Sequence, residues 1–300
     1  MAKPKILVTG ANGQLGKELK ELCSTDPQFE FVFLSREDLP IQHFELIRNS
    51  FEAYHPQYCI NCAAYTNVDK AESEKEFAFL VNGEAVGALA AVCKDHNTRF
   101  IHISTDYVFD GTAGEPYKED SLVNPVNMYG ESKLAGEKAA LEANRDVIII
   151  RTSWVYSEFG KNFVKTMLKL MNERTEINVV EDQIGSPTYA ADLAECIIQI
   201  IKDLQSHDSR FTSHENIFHF CNEGIISWYD FAVAIKELSG FSCKINPITT
   251  DQYPTAAKRP HYSVLDTTRI QKIFGIELKN WKESLFVCLK RIQKQPTSQK

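Results

Sequence analysis

A short apolar run, Lys5-Ile6-Leu7-Val8, leads into Thr9-Gly10-Ala11-Asn12-Gly13-Gln14-Leu15-Gly16, and a helical pattern takes over from 14 to 22. Three glycines at a strand-to-helix turn constrain this chain more than any other feature. Such a turn lets the backbone come close to a pyrophosphate. It also sets that phosphate against free N–H groups and the positive end of a helix dipole. A tight turn that merely packs a helix onto a sheet is spelled the same way, so the rest of the chain decides.

The first half alternates strands and helices. Apolar runs at 31–34, 58–61, 100–103 and 147–150 read as further strands. Between them, 43–53, 77–96 and 129–142 carry apolar residues at helical spacing. Continuous apolar strands separated by helices predict a parallel, doubly wound α/β sheet buried on both faces. Ligands of such sheets bind beyond the carboxyl ends of the strands. After about residue 159 the pattern loosens. Helices at 162–172, 190–204, 228–239 and 281–292 are separated by short strands and Pro-containing loops. This predicts a dinucleotide-binding domain over 1–160. A smaller, partly interleaved substrate domain is expected mainly over 161–300, with some segments returning to the first sheet. Residues 206–215 read as a polar loop and 293–300 as a frayed tail.

Bulk properties narrow the class. A chain of 300 residues suits one large α/β unit, alone or with a smaller companion. A net charge of −7 argues against a nucleic-acid surface. No stretch reads as a membrane span and no signal peptide opens the chain, so a cytoplasmic location is expected. The eight cysteines are scattered, mostly inside apolar runs, as Cys93, Cys196 and Cys288 are. They read as small buried hydrophobes. Cys59 and Cys62 have redox spacing but sit on a strand, where residues three apart face opposite ways.

Tyr129-Gly130-Glu131-Ser132-Lys133 begins a helix, and residues four apart share a helix face. A phenol beside an ammonium is expected to have its pKa drawn down from about 10, toward what acid–base catalysis needs. Alone, this spacing is as easily an exposed structural pair. Thr105 changes the balance. It ends the strand His102-Ile103-Ser104-Thr105, at a carboxyl end, with a hydroxyl able to donate to a carbonyl. A glycine turn, that hydroxyl, and Tyr with Lys on the next helix make one coherent site for carbonyl reduction.

These segments, with NCAAYTNVDKAE at 61–72, STDYVF at 104–109, YGESKLAGE at 129–137, RTSWVY at 151–156, DQIGSPT at 182–188 and KRP at 258–260, resemble the extended short-chain dehydrogenase/reductase superfamily. Within it, the chain is most similar to the dTDP-4-dehydrorhamnose reductases, over nearly its whole length. The resemblance implies a Rossmann-type fold and reduction of the C4 ketone of dTDP-6-deoxy-L-lyxo-4-hexulose to dTDP-L-rhamnose. Tyr129 would be the proton donor, Lys133 its helper and a ribose ligand, and Thr105 the carbonyl-binding hydroxyl. Gly10, Asn12, Gly13, Gln14, Leu15 and Gly16 would cradle the pyrophosphate. Ala63, Ala64 and Tyr65 would flank the nicotinamide, with Asn82 near the cofactor. Asp106, Tyr107 and Trp154 would line the sugar pocket, and Arg259 would meet the substrate diphosphate or simply sit at the surface. Asp69 and Glu72 match the family block, but a helix-start role explains them as well.

The second strand ends Leu34-Ser35-Arg36, where NAD-preferring folds usually carry an acid. Ser35 and Arg36 suit a ribose phosphate, so NADPH is the expected cofactor, with NADH possible. Some relatives use a divalent metal, but no ligand cluster for one is legible here. A nucleotide-sugar substrate is the expected partner and a homodimer is open. Two alternatives stand beside this reading. One is a related epimerase or other nucleotide-sugar oxidoreductase, in which the same Tyr and Lys serve a different cycle. The other is a non-catalytic regulatory subunit like the relative that serves methionine adenosyltransferase.

Overall fold

The computed structural model describes residues 3–24, 27–206 and 216–294. In chain order, β1 (Lys5–Thr9), α1 (Gln14–Cys23), β2 (Glu30–Leu34), α2 (Phe44–Tyr54) and β3 (Tyr58–Asn61) open the fold. A single turn, α3 (Val68–Ala71), precedes a long helix built of α4 (Lys75–Phe79) and α5 (Ala85–Asp95), joined by a π turn at Leu80–Glu84. β4 (Arg99–Thr105), α6 (Met128–Ala143) and β5 (Ile148–Thr152) complete the alternation. The chain continues through β6 (Val155–Tyr156), α7 (Phe163–Glu173), β7 (Glu176–Val180), β8 (Ile184–Gly185), β9 (Thr188–Tyr189), α8 (Ala190–Ser206) and β10 (Ile217–His219). It ends with β11 (Ile226–Ser227), α9 (Trp228–Ser239), β12 (Lys244–Ile248), α10 (Thr268–Phe274) and α11 (Trp281–Lys294).

Six strands form one parallel sheet in the order β10-β5-β4-β3-β1-β2. Alternate residues of each strand serve opposite faces. Ile6, Val8, Ile60, Ile101, Ile148 and Ile150 pack toward α1, α8 and α10. Leu7, Cys59, Phe100 and Ile149 pack toward α2, α5 and α6. This double burial is what the unbroken apolar runs encode, and the fold is the expected doubly wound α/β sheet. At about 25 cal/mol per Å² of apolar surface, such faces supply the main stabilising term of the fold.

The segment Lys75–Asp95 corrects the reading that no stretch reaches membrane length, since it is 21 residues long and apolar enough to span one. Its apolarity has a local cause. Ala85, Val86, Leu89, Ala90 and Cys93 are buried, partly against the sheet and partly against α6. Small residues bring the two helices close. A side chain on Gly87 would place its Cβ 2.9 Å from that of Ala139.

A second core gathers Tyr156, Val164, Met167, Tyr189, Phe231, Ile235, Leu285 and Leu289 from β6, α7, β9, α9 and α11. Parallel pairs β6–β9 and β7–β12 brace it. The segments α8, β10 and α10, although late in sequence, belong to the first core. The polar loop expected at 206–215 lies, beyond Ser206, outside the described residues, as does the tail beyond Lys294. Gln293 and Lys294 are helical, because α11 runs two residues past the expected end. No disulfide forms among the eight cysteines, and burial pushes the Cys62 thiol up, which disfavours a thiolate there.

Candidate active site

Gly10, with φ +65°, turns the chain out of β1 in a conformation that side chains rarely adopt. A Cβ there would lie 2.6 Å from the Ala63 nitrogen, so glycine is required twice over. α1 then begins at Gln14 behind Gly13, and no side chain caps it. Its first-turn N–H groups therefore face outward without a side-chain acceptor, as a pyrophosphate needs. Asn12 and Gly13 are exposed, whereas Leu15 and Gly16 are buried and offer backbone only. The Gln14 side chain reaches elsewhere, accepting from Asn162 Nδ2 at 2.8 Å. These residues fit a dinucleotide cofactor.

At the end of β2, the Ser35 hydroxyl accepts from the Glu37 and Asp38 nitrogens, and Asp38 Oδ2 accepts from the Ser35 N–H at 2.9 Å. Asp38 is thereby folded back on its own turn. The Ser35 side chain, with the Glu37 backbone for Glu37 and the Ser35 backbone for Asp38, holds these exposed carboxyls below their ordinary pKa. Arg36 is exposed, its guanidinium 5.7 Å from the centre of the Phe77 ring. Phe77 in turn meets Tyr65 edge-on at 5.8 Å. Arg36, Phe77 and Tyr65 thus form one wall. Phe77 was not singled out from the sequence, where it reads as an ordinary helix residue.

Asn82, expected near the cofactor, directs its amide into the protein. It accepts from the Tyr65 N–H at 2.8 Å and donates to the Tyr65 carbonyl and to Ser132 Oγ at 3.0 and 2.9 Å. All its hydrogens and its oxygen are spent inside the protein. Its work is to pin the Ala63–Tyr65 segment to α6, and the π turn that carries it supplies the required orientation.

Beyond β4, Thr105 Oγ1 donates to Asp106 Oδ1 at 2.9 Å, and it lies near enough to the Tyr129 hydroxyl to oppose the rise that burial causes in the pKa of that group. Tyr107 meets the Tyr129 ring edge-on at 5.5 Å. α6 delivers Tyr129 because Asn127 caps it, accepting from Gly130 N at 2.8 Å, while Glu72 accepts from Met128 N at 2.9 Å. Gly130 lets that first turn touch the Tyr107 carbonyl, which any Cβ would strike at 2.2 Å. Glu72 is therefore more than a helix-start charge of its own turn, since it also tethers the start of α6.

Lys133 shares the helix face of Tyr129 but does not lower its pKa as the spacing suggested. Burial pushes the Tyr129 hydroxyl up to about 12. Lys133, 2 % exposed, turns toward β4 and donates to the Ile103 carbonyl at 2.7 Å. Burial brings its own pKa down to about 8, against the pull of Glu137. Burial also raises Asp106 to about 6.

The remaining candidates sit on the second half. Trp154, with φ +48°, stacks on Trp228 at 3.6 Å between ring centres. Arg259 donates to Asp69 Oδ2 at 2.9 Å and to the Ala257 carbonyl at 3.2 Å, and burial pushes the Tyr107 hydroxyl up while the nearby Arg259 charge opposes that rise. The Asn127 side chain holds the same loop through the Lys258 carbonyl at 2.8 Å. A cavity of about 530 Å³ opens at the other end of the sheet, beside Gln57, Tyr58 and Arg99. That is the amino end of the strands, away from this chemistry.

A divalent metal does not fit. Among the described residues, Glu18, Glu21 and Glu158 bring carboxylate oxygens within 4.8 Å of one another. Arg291 already occupies the cation position, 3.1 Å from Glu158 and 3.5 Å from Glu18. Burial and neighbouring Glu158 push Glu18 up to about 8, so that carboxyl keeps its proton at neutral pH.

A nucleotide-binding sheet whose fourth strand ends in a hydroxyl close to a tyrosine, with a buried lysine one turn further along the same helix, defines a class. It is that of NAD(P)H-dependent oxidoreductases of the short-chain dehydrogenase/reductase kind. The chain belongs to the RmlD substrate binding domain family, which matches it over residues 4–294. It is 42 % identical over 288 residues to a dTDP-4-dehydrorhamnose reductase of Aggregatibacter actinomycetemcomitans, covering 94 % of this chain and 97 % of that protein. It is 43 % identical over 283 residues to the spore coat polysaccharide biosynthesis protein SpsK of Bacillus subtilis, covering 94 % and 95 %. The crystal structure of a dTDP-4-dehydrorhamnose reductase from Bacillus anthracis, in complex with NADP, superposes with a TM-score of 0.90 at 36 % identity, covering 97 % of this chain and all of that one.

Proposed function

We infer that this chain reduces the C4 ketone of dTDP-6-deoxy-L-lyxo-4-hexulose to give dTDP-L-rhamnose, with NADPH as the preferred reductant. The observation that carries the reading is the Thr105–Tyr129 hydroxyl pair at the carboxyl end of β4, in a chain that aligns end to end with reductases of this sugar. The nicotinamide, when bound, supplies hydride. The chain supplies the rest. The first-turn N–H groups of α1 hold the pyrophosphate, and Arg36 with Ser35 receives the ribose phosphate.

Tyr129 keeps its proton throughout the neutral range because burial holds its pKa near 12. It can therefore give that proton to the carbonyl oxygen as negative charge develops there. Thr105, by turning its one hydroxyl hydrogen from Asp106 to the substrate, donates a second hydrogen bond to the same oxygen. Lys133 is an ammonium below about pH 8, and from its place one turn along α6 it would hold the nicotinamide ribose. Asp106, Tyr107 and Trp154 face the sugar, and Arg259, steadied by Asp69, meets the diphosphate. We place the enzyme in the cytoplasm and expect a homodimer, which light scattering measures.

The test is incubation with NADPH or NADH and the keto-sugar nucleotide, with loss of reduced-nicotinamide absorbance and chromatography of the product against dTDP-L-rhamnose. A product epimeric at C4 would move the chain to another nucleotide-sugar oxidoreductase of the superfamily, and cofactor retained tightly through purification would favour the epimerase. No turnover together with tight binding of a partner enzyme would move it to the regulatory one.

A further inference from the structure

A line of buried polar side chains runs under the site. Thr9 Oγ1 donates to Asn61 Oδ1 at 2.6 Å, Asn61 Nδ2 lies 3.0 Å from His102 Nδ1, and His102 Nε2 lies 3.4 Å from Lys133 Nζ. Their exposures are 0, 1, 0 and 2 %. The sheet aligns them, for Thr9 is in register with Asn61 and Asn61 with His102. The line therefore joins the strand that ends in the glycine turn to the lysine on α6. None of its first three members touches the Thr105–Tyr129 pair.

The hydrogens along this line are fixed by what each group can donate. The Ala63 backbone N–H lies 3.2 Å from Asn61 Oδ1 and can only donate, so that atom is the amide oxygen. The Asn61 NH2 group then faces His102 and donates to Nδ1. An Nδ1 that accepts carries no proton, and a neutral imidazole must bear it on Nε2. His102 is neutral, because burial and the nearby Lys133 both press its pKa well below 6.5. The Nε2–H is thus directed at Lys133 Nζ. An amine has a lone pair to receive it, whereas an ammonium has only donors.

We propose that His102, locked by Asn61 into the Nε2–H tautomer, is a positioning residue that favours the neutral amine of Lys133 and so sets the pH range over which this lysine carries its charge. The proposal rests on the reductase reading for its consequence in turnover, but not for its physical content. Every ionisable group around Lys133 has a definite sense. On its own helix, Glu137 favours the ammonium, and that carboxylate is held by Arg151 of β5 and Ser104 of β4. Tyr129, also on α6, is protonated in the neutral range. Asp106 acts on Tyr129. His102 of β4 is the neighbour that opposes the charge by hydrogen bonding.

Two substitutions reverse the effect by different routes. In His102→Gln, the amide can turn its oxygen to the ammonium. In Asn61→Asp, a carboxylate accepts from Nδ1, which moves the imidazole proton there and makes Nε2 an acceptor. Nitrogen-15 NMR of the cofactor-free protein reads the tautomer, and carbon-13 NMR of labelled lysine follows the titration of Lys133, assigned by its loss in Lys133→Met. We expect Nε2–H in the native chain and Nδ1–H in Asn61→Asp. The Lys133 midpoint should rise by about one pH unit in either variant, since an opposed donor becomes an acceptor. The upper limb of the kcat–pH profile should move the same way. A native Nδ1–H tautomer, or an unmoved Lys133 midpoint in either folded variant, overturns the proposal. Should the native enzyme fail to turn over the keto-sugar nucleotide, the reductase reading fails while the NMR outcome still decides this one.

Discussion

Replacing Lys133 by Met should separate stability from activity. Lys133 is buried, and its pKa falls from an ordinary 10.5 to about 8. At 1.36 kcal/mol per unit, keeping the ammonium in place destabilises the fold by about 3 kcal/mol. Below pH 8 the folded and unfolded chains both bind this proton and the penalty is complete. Between pH 8 and 10.5 only the unfolded chain binds it, so native stability rises with pH and the penalty is gone by the upper limit. Met has similar bulk and no such term. It leaves the Ile103 carbonyl without its donor, which costs about 1–3 kcal/mol. At pH 7 the variant should therefore equal the native chain or exceed it by up to about 2 kcal/mol, and at pH 10 it should be the less stable of the two. Urea unfolding of both proteins at both pH values gives the difference, and other titrating groups cancel in it. We expect that difference to change by about 2–3 kcal/mol between pH 7 and pH 10, with turnover lost throughout. A difference independent of pH would refute the claim that burial of a charge, rather than packing, is what this lysine costs.

Tyr129→Phe removes the proton donor and nothing else of size, so kcat should fall by about 10²–10⁴ while NADPH still quenches protein fluorescence with near-native affinity. Arg36→Ala should weaken NADPH by about 10- to 100-fold, as expected for one charge-assisted phosphate contact, and leave NADH within about twofold. Equal losses for the two cofactors would remove Arg36 from the ribose phosphate. Glu137→Leu strands the Arg151 guanidinium, now 2.7 Å from its carboxylate and buried with it. Denaturant titration should show a loss of about 3–5 kcal/mol, largely recovered when Arg151→Leu is added.

The parallel sheet was legible because burial on both faces leaves an unbroken apolar run, and the first five strands are of that kind. The β6–β9 and β8–β11 pairs were not, because each strand is two residues long and shows no period. α10 was missed for a related reason, since its seven residues bury only Ile270 and Phe274. In the site, hydroxyl and charge types at strand and helix ends announced Thr105, Tyr129 and Lys133. What sequence spacing could not reveal was direction. Lys133 is four residues from Tyr129 yet turns to the Ile103 carbonyl, and Asn82 spends its amide on Tyr65 and Ser132. His102 passed as one more strand residue. Its partners, Asn61 and Lys133, lie 41 and 31 residues away and meet it only across neighbouring strands and α6.

The outer edge of β5 is closed by Ile217–His219, and one face of the glycine-turn half is covered by α8 and α10. During translation, all three leave the ribosome well after β5. A nascent chain that has just completed β5 therefore presents an open strand edge and a stripe of Ile6, Val8, Ile60, Ile101, Ile148 and Ile150 that lacks α8 and α10 and has only α1 of its three helices. Such a chain is a substrate for chaperones and a poor candidate for independent folding. The nucleotide half begins the polypeptide yet cannot close until residues beyond 270 are available. A break at residue 160 would accordingly yield two pieces that must find each other, rather than two domains.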